Sequence, residues 1–146
     1  MPKINELRFA KTDRNTPTPR RGSEKAAGLD LGLPRDVRIR PGGHAFVDMG
    51  IAFDIPEGHK LVRMPRSSAC DRKGVNGEPE FAVIIAIDNT LGLIDSDYTG
   101  SIKLKLTNNG WDTYLGYAGD FIVQAVLEEF VQIGELKEVD TIDKET

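Results

Sequence analysis

Residues 101–107 read SIKLKLT, and apolar and polar side chains alternate strictly along this stretch. Ile102, Leu104 and Leu106 fall on one side of the alternation, and serine, lysine and threonine fall on the other. Because successive side chains of an extended strand point to opposite faces, this period predicts a β-strand with one buried and one solvated face.

The flanking sequence repeats this pattern of short strands. Residues 37–40 alternate in the same way, while residues 81–87 and 122–126 are apolar and β-branched, which is typical of strands buried on both faces. Turn-forming clusters separate the strands, at residues 34–36, 41–43, 56–58, 76–77, 108–110 and 116. We therefore predict an all-β domain, a sandwich or jelly roll, with one short helix after Arg66, over residues 67–73.

Length, charge and cysteine content narrow the class of protein. The 146 residues suit a single domain over residues 1–146, and the net charge of −4 provides no broad basic face for nucleic acid. The single cysteine, Cys70, cannot form an internal disulfide, which favours a reducing, cytoplasmic compartment. No stretch approaches the roughly 20 apolar residues of a membrane span, so we expect no membrane partner.

Two segments look peripheral to this domain. Residues 1–24 are predicted to form an N-terminal strand and a lead-in, and the proline-rich part of it, residues 15–21, is expected to be extended. Residues 134–146 are polar, so we expect a C-terminal arm that does not enter the core.

Two segments place a polar side chain inside an apolar strand. In AGLDL, residues 27–31, Asp30 falls at an apolar strand start, where a carboxylate needs a partner or a cation. In GDFIVQ, residues 119–124, a Gly-Asp turn enters a strand that ends on Gln124, a donor able to reach a phosphate. The alternatives are a strand-edge aspartate and an ordinary turn followed by a strand.

PRSS, residues 65–68, combines groups that suit an anion. Arg66 offers a planar fork for phosphate oxygens. Ser67 and Ser68 add donors at an expected helix start, where the helix dipole favours negative charge. The alternative is a simple helix cap.

NTLGLIDSDY, residues 89–98, holds Asn89, Gly92, Asp95 and Tyr98 within ten residues. We expect Gly92 to permit a tight hairpin, whose backbone groups could read the edge of a base. Asp95 could orient or deprotonate a water molecule, and Tyr98 could stack on a sugar. The alternative is a plain hairpin with a solvated acidic tip.

Taken together and in this order, the four segments resemble the motifs of the trimeric dUTPase family. AGLDL resembles the first motif, PRSS the second, NTLGLIDSDYTG the third and GDFIVQ the fourth. The stretches TPTPRRGSEKAAGLDL and PGGHAFVDMGIAFDIPEG also resemble the family, so the likeness extends over residues 3–140.

The resemblance implies a β jelly roll that assembles as a homotrimer with active sites at subunit interfaces. It implies conversion of dUTP to dUMP and pyrophosphate with Mg²⁺. The hairpin holding Asn89 would read uracil and leave no room for a 5-methyl group, and Tyr98 would pack on the deoxyribose and exclude a 2′-hydroxyl. Asp95 would contact the 3′-hydroxyl and act as general base on the attacking water.

The resemblance assigns the other site residues to the metal and the phosphates. Asp30 would hold waters around Mg²⁺. The phosphate chain would be bound by Arg66, Ser67, Ser68 and Gln124. The same four residues would stabilise the charge that develops on the leaving pyrophosphate, and Arg66 and Ser67 join Asp95 as the catalytic residues. Gly92, Ile94 and Lys103 complete the substrate-binding set.

The chain departs from the family pattern at several points. It ends about where a fifth, glycine-rich motif would begin, so we expect either a truncated chain or a site without that lid and with weaker catalysis. Residues 71–80 are additional and are expected to form a surface loop. Phe121 and Thr99 stand where basic residues are usual, and Lys60-Leu61 stands where Tyr-Gly is usual.

Three other functions compete with an active dUTPase. A dUTP-binding regulatory protein on the same scaffold would turn over little substrate without the lid. A related dCTP deaminase would need a glutamate on the strand at residues 101–106, and this strand contains none. A purely structural jelly-roll protein would have no reason to hold all four motifs.

Overall fold

A computed structural model describes residues 3–66, 85–87 and 92–143. Its secondary structure over these residues consists of strands alone: β1 (Arg8–Lys11), β2 (Leu29–Gly32), β3 (Val37–Ile39), β4 (His44–Asp48), β5 (Ile51–Asp54), β6 (His59–Pro65), β7 (Ile85–Ile87), β8 (Gly92–Ile94), β9 (Lys103–Asn108), β10 (Tyr114–Gly116) and β11 (Phe121–Glu129). None of the described residues belongs to a helix long and apolar enough to cross a membrane. The helix predicted over residues 67–73 and the loop predicted at residues 71–80 lie outside the described residues.

Two antiparallel sheets form the body of the fold. One sheet has four strands in the order β2-β11-β6-β8, and the other has three in the order β4-β9-β7. Two further pairs, β1 with β5 and β3 with β10, complete the arrangement. A single hydrophobic core takes side chains from both main sheets, including Leu61, Ile94 and Val123 from the first and Val47 and Leu104 from the second. The predicted all-β class is therefore confirmed.

Strand β9 forms where the alternation of apolar and polar residues at 101–107 predicts a strand. Leu104 and Leu106 of β9 are buried, with 2% and 0% of their surface exposed, and Lys103, the first residue of the strand, is exposed. Ile102 is also buried, just before the strand begins. Strands β3 and β11 likewise occupy the segments where strands were predicted.

Two predicted boundaries near the C-terminal end are wrong. The last strand does not end on Gln124 but continues to Glu129, because β6 pairs with it residue by residue as far as His59. Gly116 is not a turn residue but closes β10. The turn follows it, where the Asp120 N–H donates to the Tyr117 carbonyl at 2.9 Å.

The N-terminal lead-in is only partly extended. A turn at residues 13–16 is closed by the Thr16 N–H, which donates to the Asp13 carbonyl at 3.0 Å. The Thr16 hydroxyl is buried and donates to the carbonyls of Met49 and Gly50, at 3.0 and 3.1 Å. This side chain ties the lead-in to the core, which the proline-rich composition did not reveal.

The C-terminal segment lies on the surface. Residues 130–143 contain no strand, and every one of them is exposed. Several carry large apolar side chains, among them Val131 with 92% and Leu136 with 93% of its surface exposed. An arm of this kind leaves apolar surface uncovered within a single chain.

Candidate active site

Three of the predicted site residues meet at one end of the four-stranded sheet. Gln124 of β11 lies directly opposite Asp30 of β2 on one side and opposite Met64 of β6 on the other. Arg66 follows β6 by one residue. Residues far apart in sequence are thus adjacent because β11 lies between β2 and β6. We call Asp30, Arg66 and Gln124 the anion edge.

Two arginines surround the carboxylate of Asp30, which is 8% exposed. Arg66 Nε lies 3.4 Å from Oδ1, and Arg20 Nε lies 3.8 Å from Oδ2. The Asp30 N–H donates to the Arg20 carbonyl at 2.6 Å, and the Arg20 N–H donates back to the Asp30 carbonyl at 3.2 Å. The partner that a buried carboxylate requires is therefore present in the protein itself.

Arg20 was missed in the sequence, although it lies in the stretch that approaches the first motif. Its guanidinium lies over the ring of Phe121, with 3.9 Å between Cζ and the ring centroid. Phe121 stands where the resemblance led us to expect a basic residue. The Phe121 ring therefore contacts the positively charged guanidinium of Arg20 through a cation–π interaction.

Arg66 and Gln124 are both held by backbone carbonyls. Arg66 Nη1 donates to the Phe121 carbonyl at 2.6 Å, and Gln124 Nε2 donates to the Pro65 carbonyl at 3.3 Å. Arg66 is thereby oriented by one backbone bond and one ion pair. Ser67 and Ser68, which were predicted to complete this edge, lie outside the described residues.

Four other predicted residues line one cavity of about 250 Å³ beside β8. Its walls are formed by Arg63, Leu93, Ile94, Asp95, Tyr98, Ile102 and Lys103. Asp95 is exposed, so its carboxylate is accessible to water. Asn89, predicted to read the base, lies outside the described residues. We call this space the β8 cavity.

Hydrogen bonds fix the turn that carries the acid and the aromatic ring. The Tyr98 N–H donates to the Asp95 carbonyl at 3.1 Å, and the Tyr98 hydroxyl donates to the Ser101 carbonyl at 2.6 Å. The Ser101 hydroxyl then donates to the Asp48 carboxylate at 3.0 Å. Tyr98 keeps 41% of its surface exposed, so the ring is available for stacking.

Gly92 opens β8, and the residues just before it lie outside the described residues, so its role in a tight hairpin stays a prediction. Its φ is not among the positive values that several turn glycines adopt. A Cβ at this position would lie 2.7 Å from Arg63 Nε and 2.8 Å from Cζ and Nη2. The Arg63 guanidinium would therefore have to shift to accept a side chain here.

Another cavity lies elsewhere and holds none of the predicted site residues. It measures about 520 Å³ and lies between the N-terminal turn and the loop after β2. Asp13, one of the acids that line it, is paired with Arg35 at 3.0 Å. We place the candidate site at the β8 cavity because an accessible carboxylate and an accessible ring meet there.

The described residues form no metal-binding group of three or more His, Cys, Asp or Glu side chains. Asp30 contributes one carboxylate at the anion edge, and both of its oxygens face arginines.

A family model and several relatives match this chain. The model of the dUTPase family matches residues 14–146. The chain belongs to the dUTPase family. The deoxyuridine 5′-triphosphate nucleotidohydrolase of Wolinella succinogenes is 36% identical over 139 residues, which is 95% of this chain and 86% of that protein. That of Corynebacterium efficiens is 33% identical over 144 residues, 98% of this chain and 74% of that protein.

Solved dUTPase structures share the fold. The dUTPase of Staphylococcus bacteriophage 80alpha, solved with dUPNHPP, superposes with a TM-score of 0.79 at 21% identity, over 97% of this chain and 92% of that one. The dUTPase from phage phi11 of S. aureus superposes with a TM-score of 0.77 at 22% identity, over 94% and 98%, and its structure is described as showing a structural Mg(II) ion. The predicted jelly-roll sandwich of the dUTPase type is confirmed.

Proposed function

We propose that this chain hydrolyses dUTP to dUMP and pyrophosphate, as a dUTP diphosphatase. The observation that carries the proposal is the presence of two chemically different sets of groups. The β8 cavity offers an exposed acid and an aromatic ring, and the anion edge offers a fixed arginine and an amide. The first set suits a nucleoside and the second suits a phosphate chain, and the homotrimer proposed below would bring both sets to one nucleotide at a subunit interface.

At the nucleoside end, Tyr98 packs on the deoxyribose and leaves no space for a 2′-hydroxyl. The segment holding Asn89 reads uracil, with Ile94 and Lys103 completing the contact. Asp95 accepts the proton of the attacking water as the new P–O bond forms and the bond to pyrophosphate breaks. Its exposure supports this role, because a general base must reach water.

At the phosphate end, Arg66 and Gln124 bind the phosphate chain, together with Ser67 and Ser68. The ion pair and the backbone bond of Arg66 hold its guanidinium in place before substrate binds, which favours stabilisation of charge on the leaving group.

The donor set at the anion edge fits Mg²⁺ that is bound mainly by substrate phosphates. Mg²⁺ keeps several waters and commonly takes only one or two carboxylates from the protein, and Asp30 would supply one through water. When bound, Mg²⁺ neutralises charge on the phosphate oxygens.

We further propose a cytoplasmic homotrimer with its active sites at the subunit interfaces. The exposed apolar side chains of residues 130–143 support this assembly, since a neighbouring subunit would cover them. The C-terminal arm then belongs to the contact between subunits.

The decisive measurement is pyrophosphate release from dUTP, dTTP, UTP and dCTP with Mg²⁺. Asp95→Asn should lower kcat for dUTP by about 10²–10⁴-fold, because it removes the base, and should leave dUTP binding in place. Asp97→Asn is the matched control, since Asp97 is an exposed acid in the same turn.

Each result has a defined meaning. Full activity of Asp95→Asn would contradict the assignment of the base. Equal turnover of dTTP and dUTP would contradict uracil recognition, and tight dUTP binding with negligible turnover would favour a regulatory protein. A monomer in light scattering would contradict the interface-built site.

A further inference from the structure

Arg63 is a buried arginine that the proposed mechanism does not use. It lies in β6 on the face that Leu61 turns to the core, and only 7% of its surface is exposed. Burial lowers the pKa of its guanidinium. Its Nη1 is buried and has no hydrogen-bond partner in the part of the chain that the structure describes. A buried donor without an acceptor is uncommon and calls for an explanation.

The position of the guanidinium provides that explanation. It rests against the backbone of Gly92, at a distance that leaves no space for a side chain there. It also forms one wall of the β8 cavity, with Asp95, Tyr98 and Ile102 on the others. Arg63 therefore faces the space where the proposed function places the nucleoside.

We propose that Arg63 binds the substrate by donating a hydrogen bond to a carbonyl oxygen of the pyrimidine base. The inference rests on the proposed function and names a contact within that site. A guanidinium carries five donors and no acceptor, so it pairs with ring carbonyls and not with an amino group. Ile94, Ile102 and the Tyr98 ring give part of the cavity an apolar wall on which a flat, neutral ring can pack.

A purely structural role does not explain this arginine. Apolar side chains of similar volume usually stabilise a core at least as well as a buried charge does. The buried charge of Arg63 lowers the stability of the fold. Its Nη1 donor is unpaired in the described structure and lies beside the substrate cavity. Such a loss of stability is common where a residue serves function. The anion edge has its own arginine, so Arg63 is not needed there.

The test replaces the charge while keeping the length of the side chain. Arg63→Met should lower the affinity for deoxyuridine, measured by calorimetry, by about ten- to a hundredfold, the range for a hydrogen bond to a charged donor. The same loss should appear in kcat/KM for dUTP. Affinity for inorganic pyrophosphate should change less than twofold, and the urea midpoint should stay equal or rise. Arg38→Met, on the exposed part of β3, is the matched control.

Three outcomes would overturn the proposal. One is wild-type affinity of folded Arg63→Met for deoxyuridine. Another is loss of pyrophosphate affinity in place of deoxyuridine affinity, which would assign Arg63 to the phosphates. The third is a wild-type protein that binds no deoxyuridine. A wild-type protein that binds deoxyuridine but does not hydrolyse dUTP would refute only the proposed reaction.

A second variant covers the case in which Arg63→Met does not fold. Gly92→Ala keeps the charge but places a Cβ where the guanidinium now lies, so the side chain must move. It should weaken deoxyuridine binding as Arg63→Met does, and unchanged binding would overturn the proposal.

Discussion

Asp30→Asn is the most informative change at the anion edge. Asparagine has nearly the same shape as aspartate, so packing stays intact and only the negative charge is lost. Two guanidinium groups then face a neutral amide, since Arg66 and Arg20 lie 3.4 and 3.8 Å from the carboxylate oxygens. The free energy of unfolding should fall because the cations lose their counter-ion.

The size of the effect follows from burial. The side chain of Arg20 is 56% exposed, so its pair with Asp30 contributes at most about 1 kcal/mol. Arg66 and Asp30 are 28% and 12% exposed, and a contact of this kind to a charged group contributes about 1.5–3 kcal/mol. We expect a total loss of about 1.5–4 kcal/mol, or a fall in Tm of about 3–16 °C for a chain of this length.

The assay is urea unfolding at matched protein concentration, because an oligomer's stability depends on concentration. Asp54→Asn is the matched control. Asp54 pairs with Arg8 at the same 3.4 Å, but these side chains are 65% and 75% exposed, so the loss should stay below about 1 kcal/mol. Equal losses for the two variants would refute the reasoning from burial.

Four further variants test other parts of the structure. Tyr98→Phe removes the 2.6 Å hydrogen bond to the Ser101 carbonyl but keeps the ring. The value of kcat/KM for dUTP should therefore fall only a few-fold. A hundredfold fall would show that the hydroxyl, and not the ring, makes the contact with substrate. Gly50→Ala should lose more than about 2 kcal/mol in urea unfolding, because φ is 66° and the new methyl group would overlap the Thr16 hydroxyl. Gly42→Ala, with φ 73° and open space around it, should lose about 1 kcal/mol, and equal losses would contradict the steric argument. Asn108→Ala removes the buried amide that donates to the carbonyls of Ile39 and Asp112, at 3.0 and 2.8 Å. The free energy of unfolding in urea should fall by about 2–4 kcal/mol. An unchanged midpoint would show that water replaces the amide.

At the β8 cavity, the residues that the sequence grouped together lie close to one another in the chain. Ile94, Asp95 and Tyr98 span a few residues, and a short strand followed by a turn brings them to one cavity. Their partners were not predictable in this way. Nothing in the sequence near Arg63 distinguishes it from other strand residues. Its guanidinium lies over Gly92 only because β8 pairs with β6.

The alternation of apolar and polar residues therefore determined where strands form in this protein. Tertiary contacts determined where the strands end and which partners their polar side chains have. The alternation at residues 101–107 needs only the geometry of one strand, so β9 was predictable. The length of β11 depends on β6, which extends it beyond Gln124, and the neutralisation of Asp30 depends on Arg20 and Arg66. Such pairings join residues that are distant in sequence, and no pattern within one segment encodes the partner that a buried charge will find.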